Sequence, residues 1–246
     1  LRPAAHALWH WHMALANPQP IGVDGTKEAI EAFFEEEGAR AKAGEPMHSV
    51  PEPVWTEAYS ACEKHDLDRR LLSVQVKAAA ALYGKTRFKT ATALKQFVGR
   101  WAVPHGRLLA GLAGADFSTQ IRRADELSRG FFHLGRLITL PRDVLQDQLF
   151  IPTENLQRSG VTIDQLRAGT VDEAVQRLLW KESVRVRDAL AQGRSLLSDL
   201  SLRQRIVLKW LWNGALALLN ELERRDFDLW SAPLDLSFFR RMQVYL

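Results

Sequence analysis

Two aspartates in Leu140-Pro141-Arg142-Asp143-Val144-Leu145-Gln146-Asp147 are the residues of this 246-residue chain best spaced to do chemistry. Asp143 and Asp147 are four residues apart, which on a helix puts both carboxylates on one face. A pair so placed can share a divalent cation and present it to a diphosphate, because Mg2+ is held by a few carboxylates together with substrate phosphates. In that reading Asp143, Asp147 and Arg142 bind the Mg-diphosphate. A second chemistry competes with it. Arg136 lies seven residues before Asp143, about two helical turns, so the two can share a face. A guanidinium there can pair with Asp143 and stand in for the metal as an internal salt bridge.

Other constellations read more simply. His6, His10 and Met13 share one face of a first helix, next to His10-Trp11-His12. A His pair one turn apart can bind zinc, but no third ligand lies near it in sequence, so an amphipathic or partner-facing surface is expected. Trp9 with Trp11, and Trp210 with Trp212, point to different helix faces. One of each pair should therefore lie away from the core, packed on a loop or on a partner. Arg122, Arg129 and Arg136 recur every seven residues. The first two suit a solvated face with local salt bridges, and Arg136 an inward role. Glu35-Glu36-Glu37 reads as solvated helix surface rather than a metal cluster. No Gly-rich phosphate loop and no nucleophile elbow occurs, so nucleotide and serine hydrolysis find no support.

The elements that must position these residues are helical almost throughout. The pattern predicts a first helix from Pro3 to Ala16 and a second after Asp24-Gly25-Thr26, with Ile30, Phe33 and Phe34 as its apolar stripe. A Pro-rich loop, Gly44 to Pro53, precedes a third from Val54 to His65. Asp68 caps a fourth from Arg69 to Tyr83. A fifth spans Thr92 to Leu112, interrupted at Pro104, and another spans Thr119 to Leu140, kinked by Pro141 rather than ended there. Thr162 with Gln165, and Thr170 with Glu173, are capping-box signatures, the second opening a helix to Leu197. Ser201 to Arg225 is the last long helix, and Ser237 starts a short terminal one. Strand-like alternation and fixed-period repeats are absent. The fold class is all-α, one helical domain over residues 1–246.

Composition sets outer bounds. Hydrophobic residues make up 46% and charged residues 25%, ordinary for a globular chain with a sizeable core. No run of eighteen apolar residues occurs, so no membrane-spanning helix is expected. The single cysteine, Cys62, excludes a disulfide framework and continues the stripe Trp55, Ala58, Tyr59, which places it in the core. The net charge of +4 is spread along helices rather than clustered, so nucleic acid binding is not indicated, although contact with rRNA or an acidic partner stays open.

The Arg142-Asp143-Val144-x-x-Asp147 run, followed by Leu149-Phe150-Ile151-Pro152, resembles the second aspartate motif of the squalene/phytoene synthase family and the extended segment after it. The likeness runs from about Leu8 to Leu246. Thr86-Arg87-Phe88-Lys89-Thr90 resembles the loop before the family's central helix, Leu94 to Gly114 that helix, and Asn155 to Leu166 the segment after the second motif. Arg224-Arg225-Asp226-Phe227-Asp228 resembles its C-terminal turn. The resemblance implies an isoprenoid synthase-like helical bundle and Mg-dependent condensation of isoprenyl diphosphates.

Against that pattern the motifs are eroded. Where the family's first Asp-Asp-x-x-Asp run should stand, the chain reads Ala16-Asn17-Pro18-Gln19-Pro20, without a carboxylate. A later family aspartate matches Leu82, and a tyrosine used for proton handling matches Phe97, which has no hydroxyl. Trp101-Ala102-Val103-Pro104-His105-Gly106 adds bulk where prenyl tails lie, making Arg136, Phe97 and Trp101 the candidate substrate-facing residues. The family's Gln and Asn before the second motif match Arg136 and Thr139. The link from Asp147 to Leu149 is shorter than the family's, either by deletion or because a loop is absent from the sequence.

A diphosphate leaving group carries about three negative charges, and its departure needs dense positive charge in a dry pocket. One lost electrostatic donor can cost roughly 10²–10³ in rate, and here several are missing. The expectation is therefore a non-catalytic protein, needing no cofactor, that acts as a structural or assembly subunit beside other protein subunits. The family includes a mitochondrial respiratory complex I assembly factor with eroded motifs, so a mitochondrial matrix setting is expected, with a bacterial cytoplasm as the other. Two alternatives stand beside it: a Mg-dependent prenyltransferase using Asp143 and Asp147, and an isoprenoid- or lipid-binding protein that keeps the tunnel.

Overall fold

A computed structural model describes residues 1–16, 22, 24–115 and 117–234. Helices follow one another along the chain: α1 (Arg2–Ala16), α2 (Lys27–Ala43), α3 (Glu52–Lys64) and α4 (Arg70–Ala79), the last continued by a 3-10 turn at Ala80–Leu82. Then come β1 (Thr86–Arg87), α5 (Ala91–Leu112), α6 (Ser118–Ile138), α7 (Leu140–Leu145) and β2 (Gln148–Leu149). The chain continues with α8 (Thr153–Ser159), α9 (Ile163–Ala168), α10 (Glu173–Gly193), α11 (Leu196–Asp199) and α12 (Leu202–Arg224). Among the described residues β1 and β2 are the only extended elements, as the helical periodicity leads one to expect. The first aspartate window, from Asn17 on, and the expected helix at Ser237 lie outside the described residues.

The chain divides into two compact units. The first comprises Leu1–Thr86 and Gln96–Asp125. There α1 packs on α3 and α2 on α4, and Leu8, Trp11, Phe34, Leu72, Val76 and Trp101 are buried. Apolar burial of this kind is the main stabilising contribution, about 1.5–3 kcal/mol for each large side chain. A buried amide ties three elements of this core together. Gln75 accepts from Trp11 Nε1 at 3.2 Å, and its Nε2 donates to the Trp101 carbonyl at 3.0 Å.

Pro104 does not interrupt α5. The helix runs through it, with Val103 and Leu108 buried on either side. A mid-helix proline costs about 3 kcal/mol, and burial of the flanking apolar face offsets that. Glu37 also departs from expectation: Glu35 and Glu36 are exposed, but Glu37 is buried and accepts from Ser49 N at 2.7 Å and Ser49 Oγ at 2.6 Å. A turn that folds back over α2 withdraws this one carboxylate from solvent and satisfies one of its oxygens.

The second unit comprises Arg87–Lys95 and the chain from Glu126 onward. Here α10 packs on α8 and α12, while α7 packs on α9. Leu149, Leu166, Leu179, Leu190 and Leu219 are fully buried. The Thr162–Gln165 capping box forms as read, but α10 is capped by Asp172, which accepts from Val175 N, rather than by Thr170. That helix also ends at Gly193 rather than Leu197. Gly169 closes α9 at φ 68, and a Cβ there would lie 2.9 Å from Trp230 Cδ1, so both conformation and space call for glycine.

Candidate functional site

The expectation that Asp143 and Asp147 share one helical face fails, and local backbone chemistry explains why. Pro141 does not kink α6; α6 ends at Ile138, and Pro141 sits in the first turn of a separate helix, α7, where its missing N–H leaves no bond unmade. Thr139 makes the break at φ −86, ψ 1. The new helix lasts only to Leu145. Gln146 caps it, and Asp147 turns left-handed at φ 57, a conformation aspartate tolerates better than most residues. The short link leaves no room for more helix, because Leu149 and Phe150 must both reach the core.

The two carboxylates therefore meet different partners. Asp143 is 1% exposed. Its Oδ2 accepts from Thr139 Oγ1 at 2.6 Å and from Arg136 Nη1 at 3.3 Å, and its Oδ1 accepts from Arg142 Nη2 at 3.4 Å. The Arg136–Asp143 pairing inferred from spacing is thus made. The Arg136 guanidinium also lies 4.3 Å from the Phe150 ring centre, a cation–π contact that holds it in place. Asp147, half-exposed, is gripped by two other arginines. Arg87 donates from Nη2 to Oδ1 at 2.9 Å and from Nη1 to the Asp147 carbonyl at 2.7 Å, and Arg167 Nη2 donates to the same Oδ1. Neither Arg87 nor Arg167 was legible as a partner. Arg87 falls in a segment read only as a loop, Arg167 lies just past the segment that ends at Leu166, and no spacing rule links either to Asp147.

These residues do not fit a magnesium ion. Both Asp143 oxygens already accept hydrogen bonds, and four guanidiniums surround the two carboxylates. A dication placed there would compete with cations fixed by the fold, at a cost of several kcal/mol for charges a few ångströms apart. Among the described residues no group of three or more His, Cys, Asp or Glu is arranged to hold a metal.

Behind Asp143 lies a cavity of about 20 Å³, lined by His133, Arg136, Leu140, Phe150, Glu182 and Val186 among others. That is room for a single water molecule, not for a prenyl chain. Burial, reinforced by Arg185 and Arg129, pushes the His133 pKa down to about 4, so its imidazole is neutral at pH 7. Glu182 accepts from Asn155 Nδ2 at 3.1 Å and pairs with Arg185. The lining is part polar and part apolar.

The other candidates belong to the first unit. Phe97 and Trp101 are buried and stacked, with centroids 6.3 Å apart at 10°, and Leu82 is buried as well. All three belong to the buried core of the first unit. His6 and His10 lie exposed with ring centres 4.0 Å apart. Trp11 is buried while Trp9 is exposed, as the alternation required.

The squalene/phytoene synthase family profile matches residues 5–244. The structure of the squalene synthase HpnC from Alicyclobacillus acidocaldarius superposes with a TM-score of 0.77 at 23% identity, covering 92% of this chain and 84% of that one. A dehydrosqualene synthase in complex with ligand gives a TM-score of 0.80 at 14% identity, covering 98% and 83%. YisP from Bacillus subtilis subsp. subtilis strain 168 gives 0.59 at 16%, covering 99% and 89%. No curated protein matches significantly. At such identities the structures speak to the fold, while the profile spans nearly the whole chain: the protein belongs to the squalene/phytoene synthase family.

Proposed function

We propose that this chain is a non-catalytic squalene/phytoene synthase-like protein that works as a structural or assembly subunit through contacts with other proteins. The observation that carries the reading is the fate of the second aspartate motif. Asp143 is buried and bonded to Arg136 and Thr139, and Asp147 has left the helix for Arg87 and Arg167. Arginines occupy the charge positions that a metal would need, and they hold the fold instead of an ion. The core-filling Phe97 and Trp101 favour the same reading over a retained prenyl tunnel.

The test is complementation, in cells lacking the protein, by a variant carrying both Asp143→Asn and Asp147→Asn. The amides keep size and much of the hydrogen bonding but remove the charge a metal requires. Function is expected to stay largely intact, with at most a loss of stability from the arginines left without their carboxylates. Loss of function by a double variant that folds and accumulates normally would return the motif to catalysis.

A further inference from the structure

The amino-terminal half of α12 exposes an apolar face that the described residues of the unit do not cover. Leu202 is 70%, Val207 54% and Leu211 57% exposed, and Ile206 and Trp210 are also exposed. Leu202, Ile206 and Trp210 follow one another at one-turn intervals, with Val207 and Leu211 on the adjoining strip, so the arc covers roughly half the helix circumference. The carboxy-terminal half of the helix anchors it, through Ala215, Leu219 and Leu222. So wide an exposed arc on one helix marks an interaction surface rather than scattered surface apolar residues.

Charge selects the occupant. Arg203 lies within the arc, Arg205 and Lys209 flank it, and no Asp or Glu occurs from Leu200 to Asn220. A two-fold pairing of this face with a second copy would bring six cations together against one exposed acid from each copy, Asp199 just before the helix, which disfavours self-association. A bilayer interface meets both requirements. Apolar side chains and a tryptophan enter the acyl boundary, while Arg and Lys stems lie along it and reach anionic headgroups. No helix among the described residues is long and apolar enough to cross a membrane, so the helix would lie in the surface plane.

We propose that Leu202–Leu211 is a docking surface for an anionic lipid bilayer, independent of whether the aspartate motif is catalytic. The test is co-sedimentation of the full chain with phosphatidylcholine vesicles, with and without phosphatidylserine. Capture is expected on the anionic vesicles and little on the neutral ones. Replacing Arg203→Gln together with Lys209→Gln should weaken binding about 25-fold, at about fivefold for each basic residue near the surface. Leu202→Gln together with Leu211→Gln should weaken it by about tenfold or more. All four side chains are exposed, and an unchanged melting temperature confirms that the variants fold. A folded chain that stays in the supernatant, or capture indifferent to both variants, overturns the proposal. So does a dimer that the Leu202/Leu211 variant turns into monomer, which would assign the face to a second copy.

Discussion

Replacing Arg136 by methionine should cost much of this protein's stability, and the amount follows from what it leaves behind. Asp143 is 1% exposed, and Arg136 is the less exposed of its two arginine partners. Removing one member of a buried ion pair costs about 3–5 kcal/mol, since the other charge stays buried and uncompensated. Here the Thr139 hydroxyl still donates to Asp143 Oδ2 at 2.6 Å, which tempers the loss. Against that, the contact with Phe150 also disappears, worth about 0.5–2 kcal/mol. The net expectation for Arg136→Met is about 3 kcal/mol, a large share of an ordinary stability of 5–15 kcal/mol. Adding Asp143→Leu should restore most of it. The pair is then replaced by apolar groups of similar volume, and Thr139 can turn its one hydroxyl proton to the Gly135 carbonyl, 3.0 Å away. Urea unfolding followed by circular dichroism, on both single variants and the double, measures the coupling. We expect at least about 2 kcal/mol between the two positions. A cycle that closes near zero, or a cost below about 1 kcal/mol for Arg136→Met, would refute the claim that this arginine compensates a buried charge.

Two further predictions follow from buried titratable groups. The His133 pKa is depressed to about 4 by burial, then by Arg185 and Arg129, so the unfolded chain binds the extra proton first as pH falls. Stability should be fully present above about pH 6.5 and decline towards pH 4, by up to about 1.4 kcal/mol per pH unit for this one group. Thermal melts between pH 7 and pH 5, compared with His133→Gln, check this; equal slopes in both proteins would contradict it. Burial, then Asp68 and Glu63, raises the Cys62 thiol to about 11. It should resist a disulfide reagent at pH 8 in the native protein and react at once in denaturant.

Much of the fold was legible because it rests on local rules. Thr26 accepts from Ala29 N, Thr162 and Gln165 form their box, and Cys62 sits in the predicted core stripe. The failures share a cause: a tertiary requirement overrode a local one. Pro104 reads as a break but lies inside a helix whose flanking residues are buried. Glu37 reads as solvated because its two neighbours are, yet Ser49, twelve residues on, draws it inward. At the site, seven-residue spacing was enough to anticipate Arg136 beside Asp143, since both lie within two turns. Asp147 was misplaced because helical spacing assumes that the helix continues, whereas the demand to bury Leu149 ends it. Arg87, sixty residues before Asp147, is close only in the folded chain.

The most direct test of the central claim is calorimetric titration of the folded chain with farnesyl diphosphate, with and without Mg2+. If arginines have replaced the metal, no Mg2+-dependent binding heat appears. Mg2+-dependent binding would contradict the account, showing that the aspartates leave their arginines for an ion and that the site still holds a prenyl diphosphate.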